Sequence, residues 1–323
     1  MQLLYSILKF FIRLAQPIIF RKIIINRPEL LKEKGPLLLA CNHPNSFLDA
    51  IILDMLFQNP VWSLARGDVF INSFVRKILT GLKILPVYRT REGIENILEN
   101  YKTFDACVEL FKENGIVTIF SEGRCINEWH LRPLMKGTAR LALKSWGNNI
   151  PLKVLPVGFN YSSFRRFGKN VVINFGEIIT QESIDESQSE GLRIQSFNNQ
   201  LQLQLQKLVY EIKKTNGALI KQQMKISLSI STKIVLAIPA AVGWLLHAPF
   251  YFPLKKVTLK YFRRSDHYDS VLAALLLFIY PIYLTIITVL LFYFTQNSWL
   301  LSTFIWMPAT AICLTQLKGQ LDK

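Results

Sequence analysis

The chain has 323 residues, enough for one good-sized domain plus additions. Half of it is hydrophobic and only 19% is charged, against about 25% in soluble domains, which argues against a wholly water-solvated molecule. Lysine and arginine outnumber aspartate and glutamate by 38 to 22, a net charge of +16, so its partners should carry phosphate, on an anionic bilayer or on nucleic acid.

Taken in chain order, residues 1–20 place Leu3, Leu4, Ile7, Leu8, Phe11, Leu14, Ala15 and Ile18 at helical spacing, with Lys9 and Arg13 on another face. This reads as an amphipathic helix on or partly in a membrane, against the plainer reading of a core helix. The basic residues inside the run and the missing small-residue cleavage site argue against a removable signal peptide.

From residue 35 to 180, short apolar runs alternate with helical patterns. The predicted strands are 37–41, 61–65, 84–87, 116–120, 154–158 and 171–175; the predicted helices are 46–57, 71–80, 94–114 and 137–146. Strands separated by helices predict an α/β fold, and near-continuous apolar runs predict a mixed, mostly parallel sheet covered on both faces. Leu201, Leu203, Leu205, Leu208 and Val209 suggest a last covering helix.

After Lys233 the composition changes. Residues 234–254, 271–294 and 298–317 contain no Asp, Glu, Lys or Arg, and each is long enough to cover about 30 Å of hydrocarbon. The basic loop 255–270 and the lysines before residue 234 both belong inside by the charge rule. Residues 234–254, interrupted by Pro239, Gly243, Pro249 and Pro253, are therefore expected as a broken re-entrant or interfacial element. The other two stretches form a transmembrane hairpin. The expected divisions are a membrane-associated segment 1–30, a catalytic-type domain 31–215 on the cytoplasmic face, and a membrane region 216–323. Cys41, Cys107, Cys125 and Cys313 have no paired spacing, so neither a disulfide framework nor a zinc finger is indicated.

Four stretches carry chemistry. His43 ends an apolar strand, and Asp49 follows at the start of a helix; a histidine titrates near neutrality and makes a general base when a third group holds its tautomer. Ser46-x-x-Asp49 also reads as a capping box, with Asp in place of Glu. Glu122-Gly123-Arg124 follows the strand 116–120, where α/β ligands bind; a solvated turn is the plainer alternative. Gly81 to Arg89 is another strand ending in arginine. Val154 to Gly158 is a strand with an internal proline, expected at an edge or a bulge. Nearby stand Lys136 and Arg140 on one helix face, and Arg165, Arg166 and Lys169 in a loop; such residues usually form a solvated face.

In order and approximate spacing these four stretches resemble the motifs of the glycerolipid acyltransferases, the family of lysophosphatidate and glycerol-3-phosphate acyltransferases, over roughly residues 30–215. The resemblance implies transfer of a fatty acyl group from acyl-CoA or acyl-carrier protein to a hydroxyl of a glycerol phosphate, with no cofactor and no metal. It implies His43 as base and Asp49 as its partner. Arg89, Glu122, Gly123, Arg124 and Lys136 would line the phosphate and acceptor site, and Pro156 the acyl or thioester pocket. Two features depart from the pattern. Five residues separate His43 from Asp49 where most members have four, which points toward glycerol-3-phosphate as acceptor. Ser121 replaces a proline, and Arg124 directly follows Gly123.

Other classes compete. One is acyl transfer to another lysophospholipid or an aminolipid. Another is a non-catalytic lipid-binding or remodelling protein, disfavoured by the intact His43 and Asp49. A nucleic-acid binder is disfavoured by the long uncharged stretches. A zinc hydrolase on Cys41, His43, Cys125 and His130 lacks ligand spacing.

Overall fold

The computed structural model describes residues 1–88 and 94–321, side chains of 94–100 excepted. The strands are β1 (Phe20–Ile25), β2 (Leu37–Cys41), β3 (Val61–Arg66), β4 (Ile84–Val87), β5 (Ile116–Phe120), β6 (Lys153–Tyr161) and β7 (Lys169–Phe175). The helices are α1 (Gln2–Ile19), α2 (Phe47–Leu56), α3 (Ser73–Gly81), α4 (Ile94–Lys112), α5 (Gly137–Gly147), α6 (Glu190–Leu208), α7 (Gly217–Met224), α8 (Ile230–Phe262), α9 (Tyr268–Thr295) and α10 (Thr303–Leu317).

Among the described residues the strands form one sheet in the order β1-β7-β6-β2-β5-β3-β4. Every neighbouring pair is parallel except β6 with β7. The sequence of β2 shows why it lies at the centre. Side chains alternate between faces along a strand. Leu37, Leu39 and Cys41 enter one core with Leu48, Ile52 and Leu53 of α2. Leu38 and Ala40 enter the other with Cys107, Val108, Ala139 and Phe197 of α4, α5 and α6. Both faces being covered, no position of the run is polar. β2 and β5 are parallel neighbours, yet α2 carries the chain to β3 on one side and α5 carries it to β6 on the other. That reversal opens a crevice at their carboxyl ends, where ligands of such sheets bind.

Three features differ from the sequence reading. The sheet begins at Phe20, not after residue 30: β1 is an edge strand parallel to β7, exposing alternate side chains, and its Arg21 and Lys22 mask the strand pattern. The proline-containing strand β6 is not at an edge but sits between β7 and β2. Pro156 is tolerated there because three residues, 176–178, oppose two, 155–156, between the Val157–Phe175 pair and the Val154–Ile179 bridge. This bulge lies where the missing N–H would point, and the Pro156 carbonyl accepts from Gly176 N–H at 2.9 Å. Finally, α8 runs unbroken through Pro239, Pro249 and Pro253. Neighbouring helices support such prolines in apolar surroundings. At Gly243 a Cβ would stand 2.4 Å from the Thr310 carbonyl, so glycine lets the α8 and α10 backbones touch.

The apolar helices α8, α9 and 298–317 are each long enough to cross a membrane. Both flanks of α8 are tied to the α/β unit or to the chain end packed on it. Before it, Ile226 exchanges two hydrogen bonds with the Gln320 side chain, whose backbone carbonyl accepts from Ser162. After it, Asp266 accepts from Asn127 N–H at 3.0 Å. α1 turns its polar residues inward: Lys9 is buried against Asp54 of α2 at 3.2 Å, and Arg13 donates to the carbonyls of Met55 and Phe57 at the end of α2. Leu3, Phe10 and Leu14 face outward, 74%, 63% and 61% exposed, an apolar stripe that suits a lipid surface.

Candidate active site

β2 ends at Cys41, and Asn42 continues its pairing with a side chain: its amide donates to the Phe159 carbonyl (3.1 Å) and accepts the Phe159 N–H (2.7 Å). The next residue, His43, therefore leaves the sheet from a fixed point. Its ring stacks on Phe120 at the end of β5, with centroids 3.8 Å apart. Its Nδ1 lies 2.9 Å from Asp49 Oδ2, and its side chain is 17% exposed while that of Asp49 is wholly buried.

The chain reaches this geometry by bending. Six residues along a regular helix would part the two side chains, so His43 must lie outside the helix. Ser46 makes the bend, with φ of 54°, a conformation that favours glycine. Asp49 is not the cap of Ser46. Its Oδ2 also accepts the Asn45 N–H (2.9 Å), and its Oδ1 accepts the Tyr161 hydroxyl (2.6 Å). Three donors thus compensate one buried carboxylate, as a buried charge requires. Burial and the neighbouring Asp49 charge push the Tyr161 phenol well up, so it remains a donor. With Nδ1 turned to Asp49, Nε2 is the ring nitrogen left to take a proton from a hydroxyl.

Glu122 follows β5 on the neighbouring strand end. Its carboxylate spans two loops, accepting the backbone N–H of His43 and of Arg132, each at 3.1 Å. It is 5% exposed, and burial raises its pKa against the lowering effect of those bonds. Glu122 thus braces the His43 loop rather than offering a free carboxylate to an acceptor. Gly123 takes φ of 68°, and Arg124 projects from this turn into solvent. Lys136, just before α5, and Arg140 are also exposed. Arg89 lies outside the described residues. Pro156 pairs with Ala40 and is buried in the centre of the sheet, so it backs the strand leading to His43. Lys169 is not a solvated loop residue: it begins β7, is 1% exposed, and is ion-paired with Asp269 of α9. Among the described residues no three His, Cys, Asp or Glu side chains converge as a metal site would require.

Sequence reasoning missed Asn42, Asn45, Phe120 and Tyr161. A signal for Tyr161 was present. Alternation along β6 carries Val157, Phe159 and Tyr161 to the face of Cys41, the side from which α2 presents Asp49.

Residues 22–160 match the family model described as Acyltransferase. Curated protein sequences give no match. Among solved structures the chain is similar to the 1-acyl-sn-glycerophosphate (LPA) acyltransferase, PlsC, from Thermotoga maritima, at 13% identity and a TM-score of 0.42, over 63% of this chain and 79% of that one. The span matched by the family model takes in most of β1 through nearly all of β6, the His43–Asp49 pair and the Glu122–Arg124 turn, so over this span the chain carries an acyltransferase-type domain.

Proposed function

We propose that this enzyme moves a fatty acyl group from a thioester, acyl-CoA or acyl-carrier protein, to a hydroxyl of a glycerol phosphate, either lysophosphatidate or glycerol-3-phosphate. The observation that carries the reading is the 2.9 Å contact of His43 Nδ1 with the buried Asp49. In this reading Nε2 takes the hydroxyl proton as the oxygen attacks the thioester carbonyl carbon. The tetrahedral intermediate collapses, the C–S bond breaks, and the proton passes to the departing thiolate, leaving an ester and a free thiol. Exposed Arg124 and Lys136, with Arg89, serve the acceptor's phosphate; guanidinium groups suit it geometrically.

The reaction takes place at the cytoplasmic face of a membrane. The tethers on both flanks of α8 support an unbroken helix that lies along the membrane surface with both ends on one side, with α9 and α10 as the crossing hairpin. A reporter at Lys260 that reads as extracytoplasmic would overturn this arrangement.

The decisive experiment is acyl transfer in detergent, with both acceptors offered against both donors, for wild type and His43→Ala. Ester formation that disappears in the alanine variant is the expected result. Near-normal turnover by that variant removes His43 as base, and ester on neither acceptor removes the glycerol phosphate assignment.

A further inference from the structure

We propose that the loop joining α8 to α9, with the first turn of α9, shapes the catalytic loop, and that Asp269 and Ser270 are positioning residues for the His43–Asp49 pair. The inference rests on the reading of His43 as base and extends it to residues outside the matched span 22–160.

The contacts form a continuous clasp over the bend between His43 and Asp49. Ser270 bridges it: its hydroxyl donates to the Asn45 carbonyl (2.9 Å) and accepts the Leu48 N–H (3.3 Å). The second bond satisfies an N–H in the first turn of α2 that has no partner within the helix. Asp269 accepts from the Asn45 side-chain amide at 2.7 Å and is held from behind by Lys169. Ser46 Oγ is 2.6 Å from His267 Nδ1. Asn127 donates to the Pro44 carbonyl (2.7 Å), and its backbone N–H to Asp266. Pro44, Asn45, Ser46 and Leu48 are thus all held by residues 266–270, directly or through one side chain.

The grip falls where the backbone is least content. Ser46, at φ of 54°, persists only because its surroundings impose that conformation. Asn45 joins the two devices: its N–H goes to Asp49 and its side chain to Asp269. A slackened clasp therefore shifts Asp49's partner and the His43 backbone together. Asp269 acts on the pair through Asn45, and Ser270 through Asn45 and Leu48.

The test uses full-length protein in detergent, measuring kcat, KM for donor and acceptor, and thermal midpoint for Ser270→Ala, Ser270→Thr, Asp269→Asn and His43→Ala. Ser270→Ala should lower kcat about tenfold or more with both KM values within about twofold, since small displacements of a reacting group are costly. Ser270→Thr, which keeps the hydroxyl, should recover most of the loss. Asp269→Asn should act in the same direction; if it leaves Lys169 uncompensated and fails to fold, Ser270→Ala decides alone. A folded Ser270→Ala enzyme with wild-type kcat, beside an inactive His43→Ala, overturns this inference and leaves the base assignment standing. Turnover retained by His43→Ala overturns both.

Discussion

The hydroxyl of Tyr161 donates to Asp49 Oδ1 across 2.6 Å, so the carboxylate that faces His43 is held from behind by the adjoining strand. Tyr161→Phe leaves one buried oxygen unsatisfied, a cost of ~1–3 kcal/mol. Turnover should fall about tenfold with a midpoint several degrees lower. Asp49→Asn should lower turnover by about a thousandfold or more, because an amide cannot hold the same tautomer. Steady-state kinetics beside thermal melts checks both; an Asp49→Asn enzyme within about threefold of wild type would remove Asp49 from the orienting role.

Glu122 gives a pH signature. Its pKa is raised from 4.5 mainly by burial, so the native state holds its proton longer than the unfolded chain does. Stability from this group is full below the ordinary carboxylate range and is lost as pH rises through the raised value. Glu122→Gln cannot ionise. The stability difference, measured by denaturant unfolding at about pH 4 and about pH 8, should move toward the variant as pH rises. A trend the other way contradicts the raised pKa.

Lys318 gives the opposite case for a base. Burial first, then the charges of Lys255, Arg166 and Lys169, lower its pKa from 10.5 to about 8. The folded state therefore carries an unfavourable charge below about pH 8, and the penalty is relieved as pH rises toward 10.5. Lys318→Met, which keeps packing against Tyr251 and Phe167, should raise the melting temperature at neutral pH. That gain should shrink by about pH 10. An unchanged midpoint at both pH values would show that the charge is well solvated.

Gly158 tests the wall behind the site. A Cβ there would stand 2.6 Å from Leu208 Cβ and 2.7 Å from its carbonyl oxygen. That carbonyl also accepts from Asn160 and Asn174, both at 2.9 Å, so Leu208 has nowhere to go. Gly158→Ala should cost ~1–3 kcal/mol, visible as a lowered thermal midpoint. A midpoint within about a degree of wild type would mean that α6 shifts freely.

What the sequence disclosed follows from range. β2, β5 and the helices between them were legible because alternation and helical spacing are local, and His43 and Glu122 stand directly after apolar runs that mark strand ends. The spacing of His43 and Asp49 demands a bend, but its place at Ser46 was not legible, because a serine carries no local mark of a positive φ. β1 was hidden because Arg21 and Lys22 interrupt its apolar pattern and its partner β7 lies far along the chain. Asp269 reads locally as an acid at a helix start; its pairing with Lys169 and Asn45 is set by tertiary packing alone. Pro156 misled for a related reason, because the bulge that accommodates it belongs to the other strand.

The hydrogen bond from Asn45 to Asp269 closes across 224 residues of chain, which sets an order of events in biogenesis. A ribosome adding about 5–20 residues per second needs roughly ten to forty-five seconds to supply the second partner after the first. During that interval the sheet can assemble, but the loop after β2 lacks its clasp. Ribosome-stalled chains ending before residue 265 should therefore resist protease over the sheet and transfer acyl groups at least about tenfold more slowly than the full chain. In the proposed arrangement the catalytic loop gains its clasp only once residues 266–270 have been made, far along the chain from the sheet it completes.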